Sequence, residues 1–536
     1  MKSLHTQSGK SKFYAGKMGR RTFLKSAAGT AAAVALAACN PRLFTNSTGG
    51  ELIVGQFAEP VGLNPITRLG DAVGDQVRGN IYNGLLKWDP TAREMVADLA
   101  TEWTQKDPTT WVFKLREGVM FHSDFGEFTA EDVEFNVNYT VEEQKGRVNL
   151  YSFVKGAKAL DKYTVEYYLE QPYAPFLRTT AQGTAAMMVS KRAYDEMGEE
   201  AINRHPIGTG PFEFVSWASG ETIEFQRFEN YFKDGFPKLD RLIFRPMVDP
   251  FVRTSALQTG EIHFMDNPEY KDVEELRADP SLQVFESPGW AWDWLVFNMD
   301  TSNAAHNEAV QNKAVRQAIS YAIDRQALVD IAYEGFATPV DNPYPPGFLG
   351  YTQDLIRYPA SADLEKAREL LESAGYSDGL ELEIITVEKA VNRRELEIIT
   401  DQLDKVGIRV KPVNLDGPTW VQRTFQTHDM EAGLRFVNLE SPDPDSASYF
   451  FWHSSGIASV GYSNPGMDAL LDQSRTAQSD DERLDAFSKV TEIMLEDVHM
   501  LYLVRPTLVR VASTNVQGFE PSNSEIVVQF EGTSIS

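Results

Sequence analysis

The second half of the chain contains one order of elements that constrains the fold more than any other feature. Residues 380–387 (LELEIITV) are strand-like, residues 392–406 have helical spacing closed by Gly407, and strand-like residues return at 408–415 and near 430–439. Strands that alternate with helices in this way favour a mostly parallel α/β sheet. Ligand sites in such sheets lie at strand ends, so we expect the functional residues of this half at the ends of these strands.

The first half of the chain predicts additional sheets and helices. Thr129 and Asp132 form a capping-box pattern that predicts a helix start, and the apolar spacing from Val315 to Ile323 predicts a buried helical face. Short β-rich stretches bounded by turn residues occur at 51–57, 110–116, 164–170, 221–228 and 240–247. The chain as a whole is therefore predicted to be α/β.

The N-terminal segment has the organisation of an export signal. Its basic stretch, which includes Arg20 and Arg21, precedes an apolar stretch at 27–38 that is far shorter than the ~20 residues a membrane-spanning helix needs. The paired arginines resemble a twin-arginine signal, and Leu-Ala-Ala-Cys39 resembles the bacterial lipobox. We therefore predict a signal peptide at 1–38, lipidation at Cys39, a tether at 39–50, and a lipid-anchored protein in the periplasm or at the cell surface.

Composition limits the possible partners and the number of domains. The formal net charge is −26 even with the basic leader included, which disfavours nucleic acid and anionic membrane surfaces as partners. A chain of 536 residues that is 42% hydrophobic can bury a large core and should divide into two or more domains. Because Cys39 is the only cysteine, we expect neither disulfides nor thiolate metal sites.

The sequence lacks the common catalytic signatures. It contains no Gly-x-Ser-x-Gly elbow, no phosphate-binding Gly-x-x-x-x-Gly-Lys-Ser/Thr loop and no Gly-x-Gly-x-x-Gly fingerprint. Its eight histidines do not show the close spacing of common zinc sites. We therefore predict a protein that is not an enzyme and that has no cofactor and no metal of its own.

Several short motifs in register resemble the solute-binding proteins of bacterial oligopeptide and dipeptide ABC importers. The resemblance extends over nearly the whole chain after the tether. The motifs are FH at 121–122, FTAEDV at 128–133, PIGTGPF at 206–212, VRQAISYAIDR at 315–325, ARELLESAGY at 367–376 and VGIRV at 406–410. The resemblance implies a bilobed clamp, of the type II periplasmic-binding-protein class, that closes on a solute and delivers it to a membrane permease.

The resemblance also implies how the chain divides. Lobe I would comprise residues 51–92, 206–298 and 505–536, with an inserted domain at 93–205 and lobe II at 299–504. The hinge would be crossed near 296–298 and near 503–505. Solute binding would stabilise the closed form of the clamp, and the permease would recognise that form. The protein would act as a monomer with a peptide or peptide-like solute.

Charged candidates for the ligand site come from two segments. Family members that bind peptides use an acid before an Asp-Pro-Asp run to pair with the peptide ammonium, and the matching residue here is Glu440, with Asp443 in the run itself. The alternative is that these are solvated loop acids. For the solute carboxylate the family uses a basic residue before the helix near Asn392, which makes Lys389, Arg393 and Arg394 candidates; the alternative is that each is an exposed helix-start charge.

Aromatic candidates form a second group. Trp290, Trp292 and Trp294 alternate along a predicted strand and would share one apolar face. The resemblance implies that Trp290 and Trp292 stack on the solute, with Trp420 opposite and Tyr82 nearby; core packing is the alternative, favoured for Trp294. Tryptophan suits peptide side chains, sugars and cationic groups alike. Oligosaccharides, opine-like conjugates and chelated nickel therefore remain alternative solutes, and an exported enzyme or a solute sensor remains an alternative function.

Overall fold

The computed structural model describes residues 49–67, 71–89, 94–151, 153–180, 183–346, 348–352, 355–437 and 443–536. The predicted export signal with Arg20 and Arg21, the lipidation site Cys39 and the candidate ligand residue Glu440 lie outside these ranges. Within them, no helix is both long enough and apolar enough to cross a membrane.

Twenty strands are described. They are β1 (Glu51–Gln56), β2 (Leu86–Asp89), β3 (Glu94–Ala97), β4 (Ala100–Asp107), β5 (Thr110–Leu115), β6 (Val154–Asp161), β7 (Thr164–Leu169), β8 (Phe212–Ala218), β9 (Thr222–Arg227), β10 (Arg241–Pro246), β11 (Phe264–Asp266), β12 (Leu282–Pro288), β13 (Trp292–Phe297), β14 (Ala337–Pro339), β15 (Leu380–Val387), β16 (Ile408–Leu415), β17 (Ala432–Val437), β18 (Met500–Ser513), β19 (Val516–Gln517) and β20 (Ser534–Ile535).

The α-helices of the same ranges are α1 (Ala72–Arg78), α2 (Ala130–Glu143), α3 (Phe176–Thr180), α4 (Gly183–Ala186), α5 (Lys191–Met197), α6 (Glu199–Arg204), α7 (Pro250–Gln258), α8 (Val273–Ala278), α9 (Glu308–Gln311), α10 (Lys313–Ala322), α11 (Arg325–Ala327), α12 (Leu364–Ser373), α13 (Ala390–Asp404), α14 (Gly417–Val421), α15 (Asp445–Trp452), α16 (Pro465–Thr476) and α17 (Asp480–Asp497). Short 3-10 turns occur at His122–Asp124, Gly146–Tyr151 and Tyr270–Asp272, and π turns at Leu328–Ala332 and Gln422–Gln426.

One long strand, β18, joins the two halves of a large mixed sheet. The strand order is β16-β15-β17-β13-β18-β11-β1-β10-β9-β8, with β12 and β14 also paired to β18. The first part of β18 pairs with β13 and β14 of one half, and its last part pairs with β11 and β12 of the other. Strand β18 is therefore hydrogen-bonded to strands of both halves.

The half-sheet built from β13 to β17 is only partly parallel, so the predicted mostly parallel sheet is wrong: β13 pairs antiparallel with both β17 and β18. Strand β15 pairs in parallel with both β16 and β17, and α13 lies between β15 and β16 in the chain. The predicted order of strand, helix, strand and strand is confirmed, although α13 begins and ends two residues before the predicted 392–406. It starts directly after Lys389, whose N–H closes a tight turn to the Val387 carbonyl at 2.8 Å.

A smaller antiparallel sheet lies within the region predicted as the inserted domain. Its order is β4-β5-β7-β6, and none of these strands pairs with the large sheet. Helix α2 packs against β6, and its start shows the predicted capping box, in which the Thr129 N–H donates to Asp132 Oδ2 at 2.9 Å. This region has its own sheet and helix, as an inserted domain would require.

Two hydrophobic clusters cover opposite faces of the lobe II sheet. Leu295 and Phe297 of β13 join the cluster that includes α10, α12 and α13, which we call the helix face. Trp292, Trp294 and Val296 join the cluster that includes α14 to α17, which we call the aromatic face. This division follows from the alternation of side chains along a strand.

The chain crosses between the two half-sheets at two points. The first crossing lies between the end of β12 at Pro288 and the start of β13 at Trp292, and the second lies within β18 where its partners change near Val504 and Thr507. The strand pairing thus puts the first crossing ahead of the predicted 296–298 and the second next to the predicted 503–505. The lobe boundaries themselves remain a prediction.

Candidate functional site

A cavity of about 540 Å³ lies beside the first crossing. Its lining residues all fall within the ranges predicted for lobe I and the inserted domain, and they include Trp290 of the crossing segment. The backbone N–H of Trp290 donates to the Asn523 carbonyl at 2.9 Å, and its ring lies edge-on to Phe348 of lobe II with 5.0 Å between centroids. Trp290 therefore connects this cavity to the opposite lobe.

Tyr82 lies on the wall of the same cavity. Its side chain is buried, and its hydroxyl has no hydrogen-bond partner among the described residues. An unpaired buried hydroxyl is unfavourable unless another group satisfies it. The structure thus brings Tyr82 and Trp290, two of the predicted aromatic contacts, to one cavity.

Charged side chains of both signs also line this cavity. Lys233 Nζ lies 3.4 Å from Asp98 Oδ1 and 3.2 Å from Glu531 Oε2. Asn83 donates to Asp98 at 3.0 Å and Tyr231 donates to Glu531 at 2.8 Å. Burial raises the pKa of Asp98, although the Lys233 charge opposes this shift. A solute with both an ammonium and a carboxylate would find complementary charges here.

Trp292 and Trp420 occupy the aromatic face of the lobe II sheet and do not line this cavity. The Trp292 ring lies edge-on to Tyr502 at 5.7 Å, and its indole N–H has no acceptor among the described residues. Trp420 is fully buried and donates to the Ile385 carbonyl at 3.3 Å. Trp294 is also fully buried, as core packing requires. Solute contact by Trp292 or Trp420 remains a prediction.

Asp443 lies in a buried ion pair. Both of its carboxylate oxygens accept from Arg483, at 2.6 and 2.7 Å, and Arg178 of the inserted domain lies 3.6 Å away. Burial alone would raise the pKa of Asp443, but Arg483 more than compensates and the pKa is lowered. The alternative reading as a solvated loop acid is therefore wrong for Asp443, because the carboxylate is enclosed.

Two of the predicted basic candidates, Lys389 and Arg394, are exposed near the start of α13. Lys389 is exposed immediately after β15, at the carboxyl end of the parallel strands. Arg394 is exposed and donates to Glu334 at 3.0 Å and to the Ile331 carbonyl at 3.1 Å. Arg394 therefore already has acceptors on the surface, whereas Lys389 lies at the edge where α/β sheets bind ligands.

Two buried acids near this edge were not among the sequence candidates. Asp293 of β13 accepts a hydrogen bond from the Tyr333 hydroxyl, and Glu395 of α13 accepts one from Asn392 at 3.2 Å. Each acid also has one buried oxygen without a donor in the described parts of the chain. Burial raises the pKa of Asp293 to about 8 despite the charge of Lys389. Burial and the Asp293 charge raise the pKa of Glu395.

A sequence signal for Asp293 did exist. It lies between Trp292 and Trp294 in a strand, so alternation would have put it on the opposite face of the sheet, where a lone acid among apolar neighbours is unusual. Its partner Glu395 could not be found in this way, because the pairing depends on how α13 packs on the sheet. The described residues contain no group of three or more side chains able to hold a metal ion.

The fold and this site define a class of protein: a two-part α/β solute-binding protein with its cavity at the crossing between half-sheets. The sequence profile of the bacterial extracellular solute-binding proteins, family 5 (middle region) matches residues 94–459. The chain therefore belongs to this family, which confirms the predicted extracytoplasmic solute-binding role in ABC import. Since the family consists of solute-binding proteins, its members are not classed as enzymes.

Individual relatives and structures agree with this assignment. The glutathione-binding protein GsiB of Pectobacterium atrosepticum is 28% identical over 463 residues, which cover 84% of this chain and 87% of that protein. The periplasmic binding protein DppA of Helicobacter pylori, solved with the peptide STSA, has a TM-score of 0.78 at 27% identity, over 91% and 98% of the two chains. AgaA from A. tumefaciens R10, solved with agropinic acid, has a TM-score of 0.77 at 25% identity, over 91% and 99%.

Proposed function

We propose that this protein captures a peptide or peptide-like solute between its lobes and delivers it to an ABC permease. The observation that supports this most directly is the cavity of about 540 Å³ at the lobe crossing, where Tyr82 and Trp290 meet the charges of Lys233 and Asp98. Pockets of this size suit small organic ligands, which a few polar groups orient. A short peptide combines apolar side chains with charged ends, which matches such a wall.

The clamp mechanism requires that the solute favours the closed form. Trp290 belongs to the crossing segment and contacts Phe348 of lobe II, so a solute that stacks on Trp290 would contact both sides of the hinge. A ligand shifts such an equilibrium only by its difference in affinity for the two forms. In this proposal, Glu440 and Lys389 contribute charges from lobe II, and Trp292 and Trp420 support the aromatic face around them.

The proposal includes how the protein is held near its permease. The paired Arg20 and Arg21 would direct export of the folded chain, and an acylated Cys39 would anchor it to the membrane as a monomer on a short polar tether. A tether raises the effective concentration of solute-loaded protein at the permease without any new contact.

A thermal-shift screen of the purified chain tests the proposal. The library contains di- to pentapeptides, glutathione, oligosaccharides, opine-like conjugates and histidine-chelated nickel. Stabilisation by peptides or glutathione alone is the expected result. The shift should be easily measured, since a ligand at 100 times its Kd adds about 2.7 kcal/mol to folding stability. Stabilisation by another class only, or by none, would contradict it. Fractionating cells that express Cys39→Ser tests the anchor: the variant should leave the membrane fraction, and retention there would argue against lipidation.

A further inference from the structure

Arg435 differs from the buried arginines near it in how its guanidinium is paired. It belongs to β17, directly opposite Trp294 of β13, and its side chain lies on the aromatic face of the sheet. Its guanidinium carbon lies 4.9 Å from the centroid of the Trp420 ring, in cation-π contact. This contact holds the planar group against a rigid aromatic surface.

No hydrogen-bond acceptor or carboxylate is found for Arg435 within the described ranges. The enclosed arginines nearby all have acceptors: Arg483 has the Asp443 carboxylate, Arg475 has Asp445, and Arg325 donates to backbone carbonyls and to Ser320. Burial lowers the pKa of Arg435, and no acid of the described residues opposes that shift. Because Arg435 is half-buried, its N–H donors are not fully shielded from water and are free to donate to a ligand.

The position of Arg435 indicates what could satisfy it. It lies toward the carboxyl end of β17, which runs parallel to β15 and ends at the same edge of the sheet. This is the edge at which α/β sheets bind ligands. Arg435 is only half-buried, so part of its side chain is accessible. An arginine fork held flat on an aromatic ring matches the two oxygens of a carboxylate.

We propose that Arg435, stacked on Trp420, binds a carboxylate of the solute. The inference deepens the proposed function and rests on it: the solute would be a carboxylate-bearing peptide or peptide-like compound. It also assigns Trp420 a supporting role, in which the ring orients the guanidinium and does not itself stack on the solute. Arg435 was not a sequence candidate, because only the basic residues at the start of α13 were considered there.

Calorimetry with a matched pair of probes tests the inference. The probes are Ala-Leu and its C-terminal amide, and the variants are Arg435→Gln, Arg435→Lys and the control Arg409→Gln, which removes an exposed arginine paired with Glu381 on the surface. We expect Arg435→Gln to weaken Ala-Leu binding about 10- to 100-fold, a typical range for a charged hydrogen-bonded contact. The amide should bind the wild-type protein and Arg435→Gln equally weakly, and Arg409→Gln should behave like the wild type.

Two further readouts separate a ligand contact from a structural role. The melting temperature without solute should stay unchanged or rise in Arg435→Gln, because an unsatisfied charge is removed; a clear fall, with equal loss of acid and amide binding, would overturn the inference. Wild-type affinity for Ala-Leu in Arg435→Gln would also overturn it. If the variant failed to fold, Arg435→Lys decides: it keeps the charge but not the fork, and unchanged Ala-Leu affinity would count against the inference.

Succinate distinguishes failure of this inference from failure of the proposed function. It has two carboxylates but no peptide bond, and it is used as a thermal-shift probe beside Ala-Leu. If Ala-Leu does not stabilise the wild-type protein but succinate does, and Arg435→Gln abolishes that effect, the peptide proposal fails and the carboxylate site stands. If neither probe stabilises the wild-type protein, both fail.

Discussion

Two groups of ionisable side chains around the half-sheet of β13 to β17 differ in how well they are paired. In the first group, which follows β17, Asp443 accepts from both terminal nitrogens of Arg483 at 2.6 and 2.7 Å, and Asp445 accepts from Arg475 at 2.8 and 3.1 Å. Each carboxylate thus meets a planar guanidinium in two-point contact, the strongest geometry for such a pair.

In the second group, at the strand ends of the same half-sheet, the ionisable side chains have no oppositely charged partner in two-point contact. Asp293 and Glu395 each have a buried oxygen without a donor among the described residues, and Arg435 has a ring beneath it but no acceptor within those ranges. Both groups lie beside the same half-sheet. The difference therefore reflects position: the unpaired charges lie toward the edge where a solute would enter.

We expect the paired groups to stabilise the fold, and the unpaired groups to be satisfied by a solute or by protonation. A buried charge without a partner costs free energy, so a fold keeps it only where another requirement outweighs that cost. If this is correct, removing a charge from the first group should damage stability, and removing one from the second should not.

The largest expected effect is on Arg483. Arg483→Met should lower the free energy of unfolding by about 3–5 kcal/mol, because Asp443 would stay buried after losing its main partner. Arg435→Met, the matched change in the unpaired group, should alter it by no more than about 0.5 kcal/mol. Urea unfolding monitored by tryptophan fluorescence measures both. Equal losses in the two variants would erase the distinction between the groups.

The next effect concerns the pH dependence of stability. The pKa of Asp293 is raised to about 8 in the folded chain from 3.8, so the folded state holds a proton that the unfolded state has lost. The contribution of this proton to the free energy of unfolding is therefore fully present below about pH 4. It is lost as the pH rises to about 8, at up to about 1.4 kcal/mol per pH unit.

The Asp293→Asn variant should lose less stability than the wild-type protein as the pH rises. Urea midpoints of the wild-type protein should decline relative to those of Asp293→Asn between pH 5 and pH 8, and the exposed loop variant Asp378→Asn should follow the wild type. Parallel curves for wild type and Asp293→Asn would contradict this prediction, because they would show that Asp293 is already ionised in the folded chain.

Much of the fold could be predicted from the sequence because it depends on local patterns. The alternation of strand side chains, the capping box at Thr129 and the strand-helix-strand order from 380 onward are all confirmed. The charge pairing could not be predicted in the same way. Asp443 and Arg483 are 40 residues apart, and their pairing depends on how α17 packs in the folded chain.

Only part of the candidate site could be predicted from the sequence. Tyr82 and Trp290 line one cavity, but that either of them contacts a solute remains a prediction. Asp293, Glu395 and Arg435 were missed because their significance is the absence of partners. A missing partner becomes visible only when every neighbour of a side chain is known.

The smallest effect tests whether the paired group also links two domains. Tyr173 of the inserted domain donates to Asp445 Oδ2 at 2.8 Å, and the adjacent Ala174 N–H donates to the Arg475 carbonyl at 2.7 Å. These contacts join the inserted domain to lobe II. They would therefore stabilise the closed clamp but would be lost if the clamp opened between these parts.

Tyr173→Phe should consequently weaken closure by about 1 kcal/mol, the usual net value of one hydrogen bond, and lower solute affinity about fivefold. Tyr168→Phe is the matched control, because Tyr168 donates to Glu166 at 2.7 Å within the inserted domain and has the same hydroxyl to lose. Calorimetric affinities for the solute identified in the screen measure both. If the two variants lose affinity equally, the Tyr173 contact contributes only to the stability of its own domain, and the paired group ends at the border of lobe II.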